Sequence, residues 1–111
     1  MITSKVKGVT NMEWTQASNF LMKPSGEVIL IYPSNRKHYE LRELQRLVGG
    51  GSTAYIESIA CPGSSSFMFV DEDGRMKGLP ENKEATKMHM EAGGVGTVVG
   101  NAIIVPKSQV K

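Results

Sequence analysis

Cationic side chains beside an aromatic ring are the residues of this sequence best suited to chemistry. The cluster consists of Arg36, Lys37, His38, Tyr39, Arg42 and Arg46. Guanidinium and ammonium groups next to a ring suit the recognition of phosphate or of a nucleotide. A solvated charged face is the alternative interpretation, because isolated surface charges generally contribute little energy.

A second cationic group lies at the start of a predicted helix and consists of Lys83 and Lys87 with the neutral Asn82 beside them. Free N–H groups at a helix N-terminus attract anions, so these side chains could complete an anion site. A solvated charged face is again the alternative. From both groups, the candidate ligand-binding residues are Arg36, Lys37, Tyr39, Arg42, Arg46, Asn82 and Lys83.

The residue types that catalysis and metal binding require are scarce. Cys61 is the only thiol, and His38 and His89 are the only imidazoles, so no nucleophile–base pair is indicated. Acidic residues crowd a glycine at Asp71–Gly74, but the spacing does not match a calcium-binding EF-hand loop. We therefore predict a binding protein with no catalytic residues, no metal and no cofactor.

Composition indicates one domain with one core. The chain has 111 residues, of which 40% are apolar. Its net charge of +2 arises from 13 basic and 11 acidic residues mixed along the chain, which argues against a dedicated duplex-binding face. The single cysteine fits a reducing compartment, and no segment has the apolar length of a signal peptide or a membrane span. We expect a cytosolic protein that does not enter a membrane.

Three helices are predicted. The first, Thr10 to Met22, starts with a capping-box pattern and continues with apolar residues at helical spacing. The second, Glu40 to Val48, has one apolar stripe and ends at Gly49–Gly51, because glycine adopts positive φ readily. The third, Pro80 to Glu91, stops at two glycines, Gly93 and Gly94.

The first two predicted strands differ in their apolar patterns. Glu27 to Tyr32 has a continuous apolar centre, which predicts that both faces are covered and that the strand lies centrally in its sheet. Thr53 to Ala60 alternates instead, and the alternation places Tyr55 and Ile59 on one face and Ala54, Ile56 and Ser58 on the other.

Further strands are predicted in the second half of the chain. Phe67 to Val70 leads into the acidic turn, after which Arg75 to Leu79 could return as a strand of an antiparallel meander. Val95 to Val105 is either a short hairpin or a loop that leads to a last strand, Ala102 to Val105.

These elements predict an α+β fold with a small, mostly antiparallel sheet of about four to five strands and two to three helices. The predicted organisation is a helical extension at residues 1–26, a single α+β domain at 27–106 and a flexible tail at 107–111.

Four short motifs follow one another in the chain. They are ELRELQRLVGG at Glu40–Gly50, FVDEDG at Phe69–Gly74, GLPEN at Gly78–Asn82 and VGNAIIV at Val99–Val105. In this order the chain resembles a family of small phage- and plasmid-encoded domains of uncharacterised function, over about Glu27 to Val105. The resemblance implies a mobile-element protein acting in the cytoplasm of a bacterial host, where small phage proteins often interfere with host defence.

The first helix and the third glycine, Gly51, depart from the pattern of that family and leave the role of the N-terminal segment open.

The resemblance and the cationic residues together give a leading hypothesis. The protein would counter host immunity by sequestering a nucleotide-derived signal, such as a cyclic nucleotide or an ADP-ribose derivative, without cleaving it. Pockets for such ligands often form between subunits, so we expect a homo-oligomer. The hypothesis requires that the two groups converge on one concave surface, either within one chain or in a cleft between protomers.

Two alternative functions involve macromolecular partners. The chain could inhibit a host defence protein by direct binding through its N-terminal helix. It could instead be a small nucleic-acid-binding regulator, whose affinity would fall steeply with salt.

Overall fold

A computed structural model describes residues 19–63 and 65–111, which form an antiparallel sheet with a helix on each face. The strands are β1 (Phe20–Met22), β2 (Val28–Leu30), β3 (Ile56–Ile59), β4 (Ser66–Asp71) and β5 (Ala102–Pro106). The helices are α1 (Leu41–Gly49) and α2 (Lys83–Glu91), and a 3-10 turn at Lys107–Gln109 follows β5. The strand order is β2-β1-β5-β4-β3, and every neighbouring pair is antiparallel. The predicted α+β class is confirmed.

Strand β5 occupies the middle of the sheet. It pairs with β1 on one side, where Phe20 lies opposite Ile104, and with β4 on the other, where Phe69 lies opposite Ile103. All four residues from Ala102 to Val105 are buried, as expected for a strand covered on both faces.

Strand β2 lies at the edge of the sheet, so the prediction of a central Glu27–Tyr32 strand is wrong. Only Val28–Leu30 pairs, and the side chain of Leu30 is 44% exposed. A continuous apolar run shows that a segment can bury both faces, but whether it does depends on its neighbours.

Each face of the sheet has its own core. The α2-side core consists of Phe20, Met22, Val28, Met68, Val70, Ala85, Val98, Ala102 and Ile104. The α1-side core consists of Leu21, Tyr39, Leu44, Val48, Ala54, Ile103 and Val105. Consecutive strand residues point to opposite faces, and Ile103 and Ile104 belong to different cores for that reason. The two helices are therefore separated by the sheet.

The alternating faces predicted for Thr53–Ala60 are confirmed for three residues, although the strand itself is shorter and spans Ile56–Ile59. Ile59 packs against the α2-side core, whereas Ala54 and Ile56 belong to or pack against the α1-side core.

The predicted first helix is wrong over its last three residues, because Phe20–Met22 is strand β1. The part at residues 10–18 lies outside the described residues. A short apolar run fits a helical stripe as well as a strand, and here pairing with both β2 and β5 decides the outcome. Since β1 belongs to the sheet, the domain includes residues that we predicted as an extension at 1–26.

Both other predicted helices are confirmed. Helix α1 ends at Gly49, and Gly50 then adopts a left-handed conformation with φ 65 and donates its N–H to the carbonyl of Arg46. Helix α2 begins at Lys83 rather than at Pro80, because Asn82 caps it by accepting a hydrogen bond from the N–H of Ala85 at 3.1 Å.

The predicted returning strand at Arg75–Leu79 is wrong, since residues 72–78 form consecutive turns. The carboxylate of Asp71 organises them: Oδ1 accepts the N–H of Asp73 at 2.8 Å, and Oδ2 pairs with the ammonium group of Lys77 at 2.7 Å. Strand β4 pairs with β5 instead, so the alternative of a loop leading to a last strand is confirmed.

The residues of the tail predicted at 107–111 contact the rest of the domain. After the 3-10 turn, the N–H of Tyr39 donates to the carbonyl of Gln109 at 2.6 Å, and the N–H of Lys111 donates to the carbonyl of Tyr39 at 3.3 Å. Val110 packs against the α1-side core. These contacts connect the end of the chain to Tyr39, which lies two residues before α1.

Within the described ranges, neither helix has the length and apolar character needed to cross a membrane.

Candidate functional site

The seven candidate residues do not form one site in this chain. Arg36, Lys37, Tyr39, Arg42 and Arg46 belong to the loop and helix on the α1 side. Asn82 and Lys83 lie at the start of α2, on the other side of the sheet. The convergence that the hypothesis required is therefore absent within a single chain.

Tyr39 is a structural residue. Its side chain is fully buried in the α1-side core, and its hydroxyl donates to Oδ1 of Asn19 at 2.7 Å. Burial, and secondly the nearby carboxylate of Glu43, raise the pKa of Tyr39 far above its ordinary value, so the hydroxyl stays protonated. Tyr39 anchors the loop before α1 and is not available to stack on a ligand.

Asn82 is also structural. Its side chain is 1% exposed, and its Nδ2 donates to the carbonyls of Met22 at 3.0 Å and Gly100 at 2.9 Å. Its Oδ1 caps α2 through the N–H of Ala85. Both donor hydrogens and the oxygen are thus used in joining α2 to β1 and to the segment before β5.

Lys83 lies beside a small cavity of about 140 Å³ between the N-terminus of α2 and the turn at Pro24–Gly26. The same cavity is lined by Lys23, which pairs with Glu27 at 3.5 Å, and by the carboxylate-bearing Glu84. Since Asn82 is fully occupied and the charges are mixed, this corner offers little to an anion.

The α1 groove is the place where two of the candidate arginines lie together. It has a volume of about 500 Å³ and is lined by Ser34, Asn35, Glu40, Arg42, Glu43, Arg46 and Leu47. Arg42 and Arg46 are exposed neighbours on successive turns of α1. Neither forms an ion pair with any residue of 19–63 or 65–111.

A tight turn forms the wall of the groove opposite α1. Oδ1 of Asn35 accepts the N–H groups of Lys37 at 2.8 Å and His38 at 2.9 Å, and Arg36 between them has φ 65. The N–H of Ser34 donates to Oε2 of Glu43 at 3.0 Å and holds the turn against α1. Non-glycine residues with positive φ are strained and often lie at functional sites.

The charges in the groove are mixed, but they are not equivalent. Oε2 of Glu43 accepts the N–H of Ser34, and Glu40 adds a second carboxylate to the lining, so two acidic residues balance the two arginines. The guanidinium groups of Arg42 and Arg46 nevertheless make no hydrogen bond or ion pair within the described ranges. Arg36 and Lys37 are exposed in the adjoining turn. The groove can therefore hold an anion by charge-assisted hydrogen bonds.

Cys61 and His89, which carry a thiol and an imidazole, are placed among other parts of the fold. Burial raises the pKa of the Cys61 thiol, although Lys107 partly opposes this, so the thiolate is disfavoured. Nδ1 of His89 lies 3.0 Å from the carbonyl of Ala60. Among the described residues, no three His, Cys, Asp or Glu side chains lie close enough together to hold a metal ion.

A second pocket, which was not predicted from the sequence, lies at the end of the sheet where the four motifs meet. This motif pocket has a volume of about 310 Å³. It is lined by Pro24, Val48, Gly49, Ser52, Asp71, Lys77, Leu79, Pro80, Gly100 and Asn101. Each motif contributes at least one lining residue, and each contributes it next to a turn. The turn residues shared by the motifs were the signal that could have indicated a common location.

Close packing explains two of the glycines around this pocket. A Cβ atom at Gly100 would lie 2.7 Å from the side chain of Leu79, and Gly100 also has φ 75. A Cβ atom at Gly49 would lie 3.2 Å from the backbone nitrogen of Ala54. The absence of side chains at these positions lets Leu79 approach the segment before β5 and lets the end of α1 approach the segment before β3.

Comparison with protein-family models, with curated proteins and with solved structures finds no match to this chain, and the resemblance to phage- and plasmid-encoded domains stays a prediction.

Proposed function

We propose that this protein is a non-enzymatic binding protein that captures a nucleotide-derived anion in the α1 groove. One observation carries the proposal: Arg42 and Arg46 line the same groove of about 500 Å³. Neither of them is neutralised by an ion pair within the described part of the chain.

The chemistry of the groove suits a ligand with more than one phosphate oxygen. A guanidinium group binds phosphate through two parallel N–H donors, and two such groups one helical turn apart can hold one phosphate or two adjacent ones. Leu47 and the methylene groups of the arginine side chains supply apolar surface for the remainder of the ligand. The volume lies within the usual range for small-molecule sites.

The biological setting of the proposal rests on the family resemblance. A phage or mobile-element protein would counter host immunity by sequestering a cyclic nucleotide or an ADP-ribose-type signal without cleaving it. The α1 groove is open on one side, and tight capture favours an enclosed, pre-organised site. A second copy of the chain placed over the groove would enclose the ligand, so a homo-oligomer is part of the proposal.

Calorimetric titration of the full chain with a cyclic dinucleotide, a cyclic trinucleotide and ADP-ribose tests the proposal. We expect one of them to bind and the double variant R42A/R46A to weaken that binding by at least about tenfold, since hydrogen bonds to charged groups contribute about 1.5–3 kcal/mol each. Intact ligand should be recovered after the complex is denatured by heat, because the proposal includes no cleavage of the ligand.

The matched control is K83A/K87A, which removes an equal number of positive charges from the opposite side of the sheet. It should leave binding unchanged. Equal weakening by both double variants would mean that general charge attraction replaces the α1 groove as the cause. Failure of all three ligands to bind the unaltered chain would reject the proposal.

Inhibition of a host protein through the N-terminal segment is the main competing function, and deletion of residues 1–18 separates the two. The deletion must stop before Asn19, because Phe20–Met22 is β1 and Asn19 accepts the hydrogen bond from Tyr39. Nucleotide capture should survive this deletion. Loss of activity in cells with ligand binding intact would favour the host-protein alternative.

A further inference from the structure

The motif pocket is separate from the α1 groove and differs from it in character. Its walls are mainly apolar and come from Pro24, Val48, Leu79 and Pro80. Small-molecule sites typically combine such walls with a few polar groups that set the orientation of the ligand. Four polar side chains contribute to the lining, namely Ser52, Asp71, Lys77 and Asn101.

Three of these polar side chains already have partners in the protein. Lys77 pairs with Oδ2 of Asp71 at 2.7 Å, and the other carboxylate oxygen of Asp71 accepts the N–H of Asp73. The hydroxyl of Ser52 donates to the carbonyl of Gly49 at 3.2 Å. The ion pair makes the pocket lining neutral, so the pocket does not select for an anion.

Asn101 is the exception. Its carboxamide makes no hydrogen bond to any other described residue, although the residue is partly buried. The amide nitrogen lies close to Gly50, where a Cβ atom would approach it to 3.4 Å. The carboxamide offers an acceptor and two donors side by side, and its polar atoms are not fully buried, so they remain accessible.

We propose that the motif pocket binds a nucleobase, with the Asn101 carboxamide pairing with the edge of the base. A nucleobase is neutral and planar, and its edge carries a donor next to an acceptor, which an asparagine side chain matches in a bidentate pair. The rings of Pro24 and Pro80 and the side chain of Leu79 offer apolar contacts to its faces. The volume of about 310 Å³ is at the lower end of the usual range for ligand sites and suits a single ring system.

This inference goes beyond the proposed function, because it concerns a second site and does not depend on Arg42 or Arg46. Uncharged nucleosides therefore test it separately. Adenosine, guanosine, cytidine and uridine would each be added to the full chain and followed by saturation-transfer NMR, with ribose as the control without a base. We expect saturation of the base protons of at least one nucleoside and none of ribose.

A titration of the ¹⁵N-labelled chain with the bound nucleoside locates the site. The signals of Lys77, Gly100 and the Asn101 side-chain amide should shift, whereas those of Arg42 and Arg46 should not. Shifts confined to the α1 groove would overturn the proposal, and so would the absence of saturation transfer to all four nucleosides. This measurement uses the unaltered chain and does not depend on how a variant folds.

The variant N101L keeps the number and branching of the side-chain heavy atoms but removes the hydrogen-bonding atoms. We expect it to weaken nucleoside binding about tenfold, the effect of losing about 1.4 kcal/mol. R42A/R46A should bind the nucleoside as tightly as the unaltered chain. Unchanged affinity in a folded N101L would contradict the pairing of Asn101 with the base. If only phosphate-bearing ligands bind, the motif pocket is rejected and the proposal for the α1 groove is retained.

Discussion

The two sides of the sheet use their polar residues in opposite ways. On the α2 side, Asn82 is 1% exposed and His89 is 9% exposed, and both are hydrogen-bonded to backbone atoms that hold elements together. On the α1 side, Arg42 and Arg46 remain exposed along a groove. Asn82 and His89 hold elements of the α2 side together, whereas Arg42 and Arg46 of α1 make no such contact with the described residues.

This difference follows from what precedes each helix. Asn82 lies between Pro80 and α2, in a segment bonded to residues 98–100: the N–H of Asn82 donates to the carbonyl of Val98, and the N–H of Gly100 donates to the carbonyl of Pro80, both at 2.8 Å. Helix α1 follows an exposed turn that is attached mainly through Glu43 and Tyr39. A polar residue next to a helix start is therefore structural where its segment is buried and accessible where it is not.

Removal of the Asn82 side chain should have the largest effect. N82A deletes the cap of α2 and leaves the carbonyls of Met22 and Gly100 without that donor, so we expect a loss of about 3 kcal/mol or more in the free energy of unfolding. N82D should remain destabilised, because it keeps the cap but not the two donors. K83A, one position away, should change stability by less than about 0.5 kcal/mol in urea denaturation. A small loss in N82A would contradict the structural role.

Substitutions at Gly94 and Gly78 distinguish the stability cost of steric overlap from that of backbone strain. A Cβ atom at Gly94 would overlap the ring of His89, so G94A should displace that ring and cost about 2–3 kcal/mol. Gly78 has φ 68 and open space around it, so G78A should cost only about 1 kcal/mol. Thermal unfolding of both variants gives the comparison. The reverse order would show that the His89 site on the α2 side is loosely packed.

Tyr39 provides a pH-dependent test of the α1 side. Its pKa is raised in the folded chain, so its contribution to stability is complete below the unfolded pKa of about 10. Above that pH the unfolded chain releases a proton that the folded chain keeps, and stability should fall by about 1 kcal/mol between pH 10 and 11. The variant Y39F, whose ring cannot ionise, should show a flatter decline over this interval. Parallel curves for the two proteins would mean that Tyr39 ionises as easily when folded.

The two exposed arginines should have the smallest effect on stability. R42A/R46A removes no ion pair within the described ranges, and alanine is a good helix former, so the free energy of unfolding should change by less than about 0.5 kcal/mol. Urea denaturation measures it. A large loss would place these side chains with the structural residues of the α2 side and remove the distinction between the two faces.

Local signals in the sequence were sufficient for some elements. The apolar stripe of α1 and the glycines after it depend on residues close in the chain, and Gly50 has the left-handed conformation that such an ending uses. The alternation in β3 likewise placed Ala54 and Ile59 on the correct faces.

Features that depend on distant residues could not be predicted. Whether Val28–Leu30 is central or at an edge depends on β1 and β5, and Phe20–Met22 becomes a strand by pairing with both of its neighbours. Tyr39 and Asn82 have residue types suited to ligands, yet their partners are Asn19, Met22 and Gly100. The turn residues of the four motifs indicated a common location at most, and that Asn101 lines a pocket there depends on contacts between distant parts of the chain.

The position of β1 next to β5 has a consequence for biosynthesis. Phe20 is translated well before its partner Ile104, from which it is far separated in the sequence. Until then β1 can pair only with β2, and an isolated two-stranded hairpin is marginally stable in water. The sheet should therefore close after translation of β5, and nascent chains that stall earlier would expose apolar strands to aggregation.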